Sequence, residues 1–195
     1  MNQYGLTLER ISAFTDGVFA VIITILVIDL HAPEDASWRA LVQEWPTAVS
    51  YAVSYLFVAI AWLNGHHLLS HATRVTTKLI WANFAHLFSV SLLPFVTAWM
   101  SRTRLGAVPV CMYAVVFVLV NASYIALCME AVDSAAEDVV SGPTKRLMRK
   151  RAILTLLIFA SSAVLALRFP VAAFCVVTLT LLTYMRPSSA PAIAQ

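Results

Sequence analysis

The sequence predicts an all-α, polytopic membrane protein with six transmembrane helices. Three observations carry this. The 195 residues are 61% hydrophobic and 12% charged, whereas a soluble domain has about 45–50% apolar and about 25% charged residues. Mean hydropathy is +0.82. The apolar residues also fall in long blocks free of charge: Trp45 to Thr73, Leu79 to Ser101 and Leu105 to Met129. Each exceeds the roughly 20 residues that cross a hydrocarbon core.

Taken in order, the first span is expected at about 9–30. It is long enough only with Asp16 inside it or at its edge. No basic stretch precedes it and no small-residue cleavage site follows, so it reads as a retained helix, not a cleaved leader. The second, third and fourth spans are expected at about 46–66, 77–99 and 107–130. Two shorter blocks, split by Arg168, give the fifth and sixth at about 149–167 and 170–186; an Arg near a helix end snorkels to the headgroups. Residues 1–186 thus form a single six-helix domain, and 187–195 a disordered tail.

Of the connections, 31–45 is expected to include a short interfacial helix with Trp38 and Trp45 at headgroup level. This loop is acidic, with Glu34, Asp35 and Glu44 against Arg39. The loop 131–148 is acidic first and basic later. Basic residues assign the sides. With both termini cytoplasmic, Arg10, Arg74, Lys78, Lys145, Arg146, Arg149, Lys150, Arg151 and Arg186 lie inside. Only Arg39, Arg102, Arg104 and Arg168 lie outside, a split of nine against four. The 145–151 cluster reads as a topology anchor on anionic lipid.

A net charge of +3, scattered along the chain, makes no nucleic-acid footprint. Cys111, Cys128 and Cys175 lie in predicted spans without ligand spacing and read as packing residues. No metal or cofactor site is expected.

The first span holds the residues that need explaining. An ionisable side chain inside a span costs at least about 2.5–3.5 kcal/mol, so Asp16 is expected to have a partner unless the interface wets it. At about 100° per residue, Arg10, Phe14, Gly17, Val21, Thr24, Ile25 and Ile28 share one face. Asp16 points away from that face and from Arg10. It is expected to bond a neighbouring helix, with His66, His67 and Asn83 as candidates. The Val21–Thr24–Ile25–Ile28 stripe, covering roughly 10 Å of axis, has two readings. It is a lipid-facing or packing face, or it is a pore wall whose β-branched rings dewet and whose Thr24 supplies one hydroxyl ring.

Arg10-x-x-x-Phe14-Thr15-Asp16, followed at once by an apolar span, resembles the signature of the transmembrane protein 175 family of potassium channels, in its bacterial branch. That family has Arg-x-x-x-Phe-Ser-Asp, so Thr15 stands where Ser is usual. The hydroxyl is kept, and the added methyl needs room. Trp62-Leu63-Asn64-Gly65-His66-His67, Asn83, Ser91-Leu92-Leu93-Pro94-Phe95-Val96-Thr97-Ala98 and Asn121 also look like the bacterial branch. The resemblance covers about residues 6–130, and the last two spans by topology only.

The resemblance implies six spans per subunit, a homotetramer in a bacterial inner membrane, and a central pore lined by the first helix. Hydrophobic side-chain rings then serve as constriction and selectivity element, with K+ and other monovalent cations as permeant ions. It implies that Val21, Thr24, Ile25 and Ile28 line the pore. It also implies that Arg10, Phe14, Thr15 and Asp16 form a polar packing network near the cytoplasmic end. Leu or Ile is common at the first constriction in the family, so Val21 leaves it slightly wider. Asp29, near the outer mouth, is the candidate for attracting cations. Beyond subunits and lipid, no protein or nucleic-acid partner is implied.

Other classes fit less well. A carbonyl filter needs a glycine-containing loop, and Gly5, Gly17, Gly65, Gly106 and Gly142 form none. An enzyme is not expected. His67 and His71 share a helix face as metal ligands do, yet no carboxylate lies nearby. A secondary transporter of a small cation or solute is the runner-up, because Pro94 can break the third span as transporter sites require.

Overall fold

The computed structural model describes residues 7–70, 72, 74–134 and 142–184, with backbone alone at 132–134, 142–149 and 184. The tail 187–195, His71 and Arg186 lie outside the described residues. Eight helices follow one another among the described residues: α1 Leu8–Ile28, α2 Trp38–Gln43, α3 Trp45–Ser70, α4 Thr77–Ser91, α5 Leu93–Arg102, α6 Ala107–Ser134, α7 Gly142–Ala166 and α8 Pro170–Tyr184. Four stretches are long and apolar enough to cross a membrane: α1, α3, α4 with α5, and α6. The apolar α8 has 15 residues, about 22 Å of helix.

Local chemistry sets the helix ends. Thr7 caps α1, its side chain accepting from the Arg10 amide at 3.3 Å. Ser37 caps α2 through the Ala40 amide at 3.2 Å, and Thr76 caps α4 through the Leu79 amide at 3.0 Å. Each satisfies an N–H that the first turn leaves without an intrahelical partner. The expected third span is two helices, α4 and α5, joined at Leu92. Pro94 has no N–H to continue the ladder and sits in the first turn of α5, where that loss costs nothing.

The turn from α5 to α6 is strained. Arg104 and Leu105 take φ of 48° and 62°, a region that side-chain-bearing residues rarely adopt. Leu105 N–H closes on the Met100 carbonyl at 3.0 Å, and its side chain is buried. Burial and the helix-closing bond offset the strain.

α6 is the central helix and packs on α3, α4, α5, α7 and α8. Its aromatic residues join the layers: Phe117 stacks on Phe57 of α3 at 3.8 Å and meets Phe159 of α7 edge-on at 5.2 Å. Tyr113, fully buried, lies 6.0 Å from Phe174 of α8. Its hydroxyl bonds Ser54 of α3 at 2.9 Å, and Ser54 bonds Thr97 of α5 at 2.8 Å. A buried hydroxyl with a partner avoids the desolvation penalty of an orphan. α1 packs against α3, α4 and α5.

Candidate functional site: the two faces of the first helix

α1 is apolar on both of its faces, and only one of them is buried. The buried face carries Ile11, Thr15, Phe19, Ile22 and Leu26, spaced three or four apart as one helix face requires. Phe19, Ile22 and Leu26 join the main core. The opposite face is open. Val21 is 56%, Ile25 42% and Ile28 73% exposed, and Thr24 is exposed with them. Arg10, Phe14 and Gly17 continue the same stripe. Ala13, Ala20 and Val27 also lie open, so the exposed face is broader than helical angles alone indicate. Nothing stands within 4 Å of a Cβ built on Gly17. The Thr24 hydroxyl donates to the Val21 carbonyl at 2.7 Å. Its proton is therefore spent on the helix, and its lone pairs remain available as acceptors.

The motif residues sit at the base of this helix. Asp16 is half-buried and accepts from Trp62 Nε1 at 2.8 Å. This corrects the expected partner: among the described residues Trp62, and not His66, His67 or Asn83, is what bonds Asp16. Trp62 lies one turn before His66 on α3, and its rigid indole delivers an N–H that does not titrate. His66 instead lies flat against Trp62, with ring centroids 5.4 Å apart. Asn83 does enter the network, one residue away from the expected place. Its Nδ2 donates to Thr15 Oγ1 at 2.9 Å, and both residues are nearly inaccessible, at 2% and 3%. Thr15 keeps its hydrogen bond, and its methyl is accommodated. Phe14 meets Phe84 of α4 edge-on at 5.6 Å. Arg10 is exposed, and no ion pair joins it to Asp16 among the described residues.

At the other end, Asp29 closes α1 as its C-cap. Arg102 Nη2 of α5 stands 3.8 Å from its carboxylate, a contact that the sequence alone did not indicate. Both border a cavity of about 620 Å³ that Glu34, Asp35, Glu44 and Arg104 also line. Four carboxylates thus face two guanidinium groups around the end of α1.

These features define a class: a helical membrane protein whose edge helix is locked at one end by polar contacts, one of them buried, and open along an apolar face. Residues 10–94 match the family model described as endosomal/lysosomal potassium channel TMEM175. A potassium channel of Chryseobacterium sp. (strain P1-3) is 37% identical over 119 residues, 61% of this chain and 62% of that one. A potassium channel of Streptomyces collinus is 34% identical over 135 residues, 65% of this chain and 64% of that one. The match therefore spans about three-fifths of the length of these curated relatives. The crystal structure of a lysosomal potassium-selective channel TMEM175 homolog from Chamaesiphon minutus superposes with a TM-score of 0.82 at 22% identity. It covers 94% of this chain and 98% of that one, which establishes a shared fold. Over residues 10–94 the chain is similar to the TMEM175 family.

Proposed function

We propose that the chain is the subunit of a homotetrameric, potassium-permeable cation channel of the bacterial inner membrane. Six spans place both termini in the cytoplasm, and α7 and α8 serve as the fifth and sixth. The short α8 is accommodated by local thinning of the bilayer. The observation that carries this reading is the exposed stripe of α1. It is the least buried of the four long apolar stretches, although the helix is tethered at its base by Asp16–Trp62 and Thr15–Asn83. A helix held so firmly on one side and open on the other suits a wall that faces a symmetry axis.

The side chains on that stripe grade along its length. Ala13, Gly17 and Ala20 are small and leave an inner vestibule wide. Val21, Ile25 and Ile28 narrow it, and rings of such side chains gate by dewetting. Thr24 adds a ring of acceptor oxygens between them. Phe14, Thr15 and Asp16 hold the helix in register through Phe84, Asn83 and Trp62, and Arg10 lies open at the base of the same stripe. Asp29 attracts cations at the outer mouth as one of several carboxylates. Its exposed pairing with Arg102 is weak and screened by salt, so it reduces that attraction only in part. The names of the two bacterial relatives support potassium as the permeant ion. No cofactor takes part.

Permeation is tested by reconstituting the purified protein in a planar bilayer. Current should flow in symmetric salt, with a reversal potential under asymmetric potassium and sodium that favours potassium. Ile25→Asn hydrates the constriction and should raise conductance or loosen ion choice; an unchanged current and reversal potential would remove Ile25 from the pore. The break at Leu92 favours a second reading, a transporter with a discontinuous third span. Flux that requires a coupled gradient, without channel current, would decide for it.

A further inference from the structure

Helix α4 turns two acceptor atoms into the bundle, behind the lock on α1. Asn83 is 2% and His86 1% exposed. The Asn83 amide nitrogen is spent on Thr15, which leaves Oδ1 as the outstanding atom. For His86 the assignment follows from its neighbour. The Ser123 hydroxyl donates to the Val120 carbonyl at 3.0 Å. The contact of 3.2 Å between His86 Nδ1 and Ser123 Oγ therefore runs from Nδ1–H to the oxygen, and Nε2 carries a lone pair. Neither Asn83 Oδ1 nor His86 Nε2 meets a donor among the described residues.

Two acceptors cannot satisfy each other. Residues three apart on a helix lie on one face, with Cβ atoms about 5–6 Å apart. Side chains so placed can turn their free acceptors towards one small molecule with two O–H groups. Phe19 of α1 and Tyr124 of α6 flank the His86 ring at 6.4 and 5.9 Å, so the position is enclosed by three helices. A bare cation would find two neutral acceptors here and no free carboxylate, since Asp16 is engaged by Trp62. Stripping a cation of its hydration for so little return is strongly unfavourable. Buried water, in contrast, commonly bridges polar groups of this kind.

We propose that Asn83 Oδ1 and His86 Nε2 hold one buried water molecule between α1, α4 and α6. The water donates one proton to each. It completes a hydrogen-bonded line from Thr15 on α1, through Asn83 and His86 on α4, to Ser123 and the Val120 carbonyl on α6. The base of α1 is then tied to the central helix and not only to its immediate neighbours. This holds whether or not α1 lines a pore.

The test is solid-state NMR on the full chain in liposomes, with histidine nitrogens labelled. His86 is assigned by the signals lost in His86→Phe, and His86→Gln serves if the Phe variant does not fold. The expected result is a protonated Nδ1, an unprotonated Nε2, and magnetisation transfer to Nε2 from a water proton. A protonated Nε2, or an unprotonated Nε2 without transfer from water, would overturn the proposal.

Discussion

Thr15→Val isolates the lock at the base of α1. Valine has nearly the same shape as threonine, so no cavity forms and the methyl group stays packed. What disappears is the oxygen that accepts from Asn83 Nδ2 at 2.9 Å. Asn83 is 2% exposed, so its N–H cannot turn to bulk water. A buried donor left without a partner costs about 1–3 kcal/mol. Hydrogen bonds between membrane helices average nearer 0.6 kcal/mol, with a maximum of about 1.7. Complete burial of both partners places this one towards the top of the membrane range, at about 1–2 kcal/mol. For a chain of this size each kcal/mol shifts the unfolding midpoint by about 2–4 °C, so Thr15→Val should lower it by roughly 2–8 °C. The assay is thermal unfolding in detergent, followed by tryptophan fluorescence, for Thr15→Val, Asn83→Leu and the double variant. Asn83→Leu removes the orphaned donor as well, so the double variant should be less destabilised than the sum of the singles, with a coupling of at least about 0.5 kcal/mol. Strict additivity would mean that the bond contributes nothing and that the reasoning about the lock fails.

Three further perturbations test other parts of the molecule. Trp62→Phe removes the donor at 2.8 Å from Asp16 and should cost about 1.5–3 kcal/mol, as expected for a hydrogen bond to a charged group; an unchanged midpoint in the same unfolding assay would show that water replaces the indole. In the α5–α6 turn, Arg104→Gly and Leu105→Gly should have opposite signs. Both relieve a positive φ, worth about 1–2 kcal/mol, but only Leu105 loses a buried side chain, at a cost of about 2–5 kcal/mol. Arg104→Gly is therefore neutral to stabilising and Leu105→Gly destabilising; matching signs would refute the strain argument. Arg102→Gln frees Asp29 from a guanidinium that is 71% exposed. It should change stability by less than about 1 kcal/mol while raising cation current at low ionic strength. A current that is unchanged at low salt would count against Asp29 as a cation attractor.

The positions of the long helices were legible because a lipid-crossing helix must be apolar over a fixed length, and that constraint is written along the chain. The split of the third span was half legible. Pro94 announced a break, and the structure places it at Leu92, with α4 and α5 both packed against α6. The exposed stripe of α1 was readable from periodicity, since positions three and four apart share a face whatever surrounds them. Its extra members Ala13, Ala20 and Val27 were not, because both faces of this helix are apolar and the pattern cannot say where burial stops.

Asp16 marks the boundary most clearly. The sequence by itself determined that a carboxylate within an apolar span must be partnered, because its desolvation is costly wherever it lies. It also determined that the partner is not Arg10, because their helical angles diverge. Only the tertiary structure decided that Trp62 reaches Asp16 while Asn83 turns to Thr15, and that Arg102 stands opposite Asp29. These pairings join residues 46, 68 and 73 positions apart (62 − 16, 83 − 15, 102 − 29). The physical reason is that one sequence fixes what each group requires, whereas the choice among several eligible donors rests on the rotation and offset of neighbouring helices, which the whole core sets together.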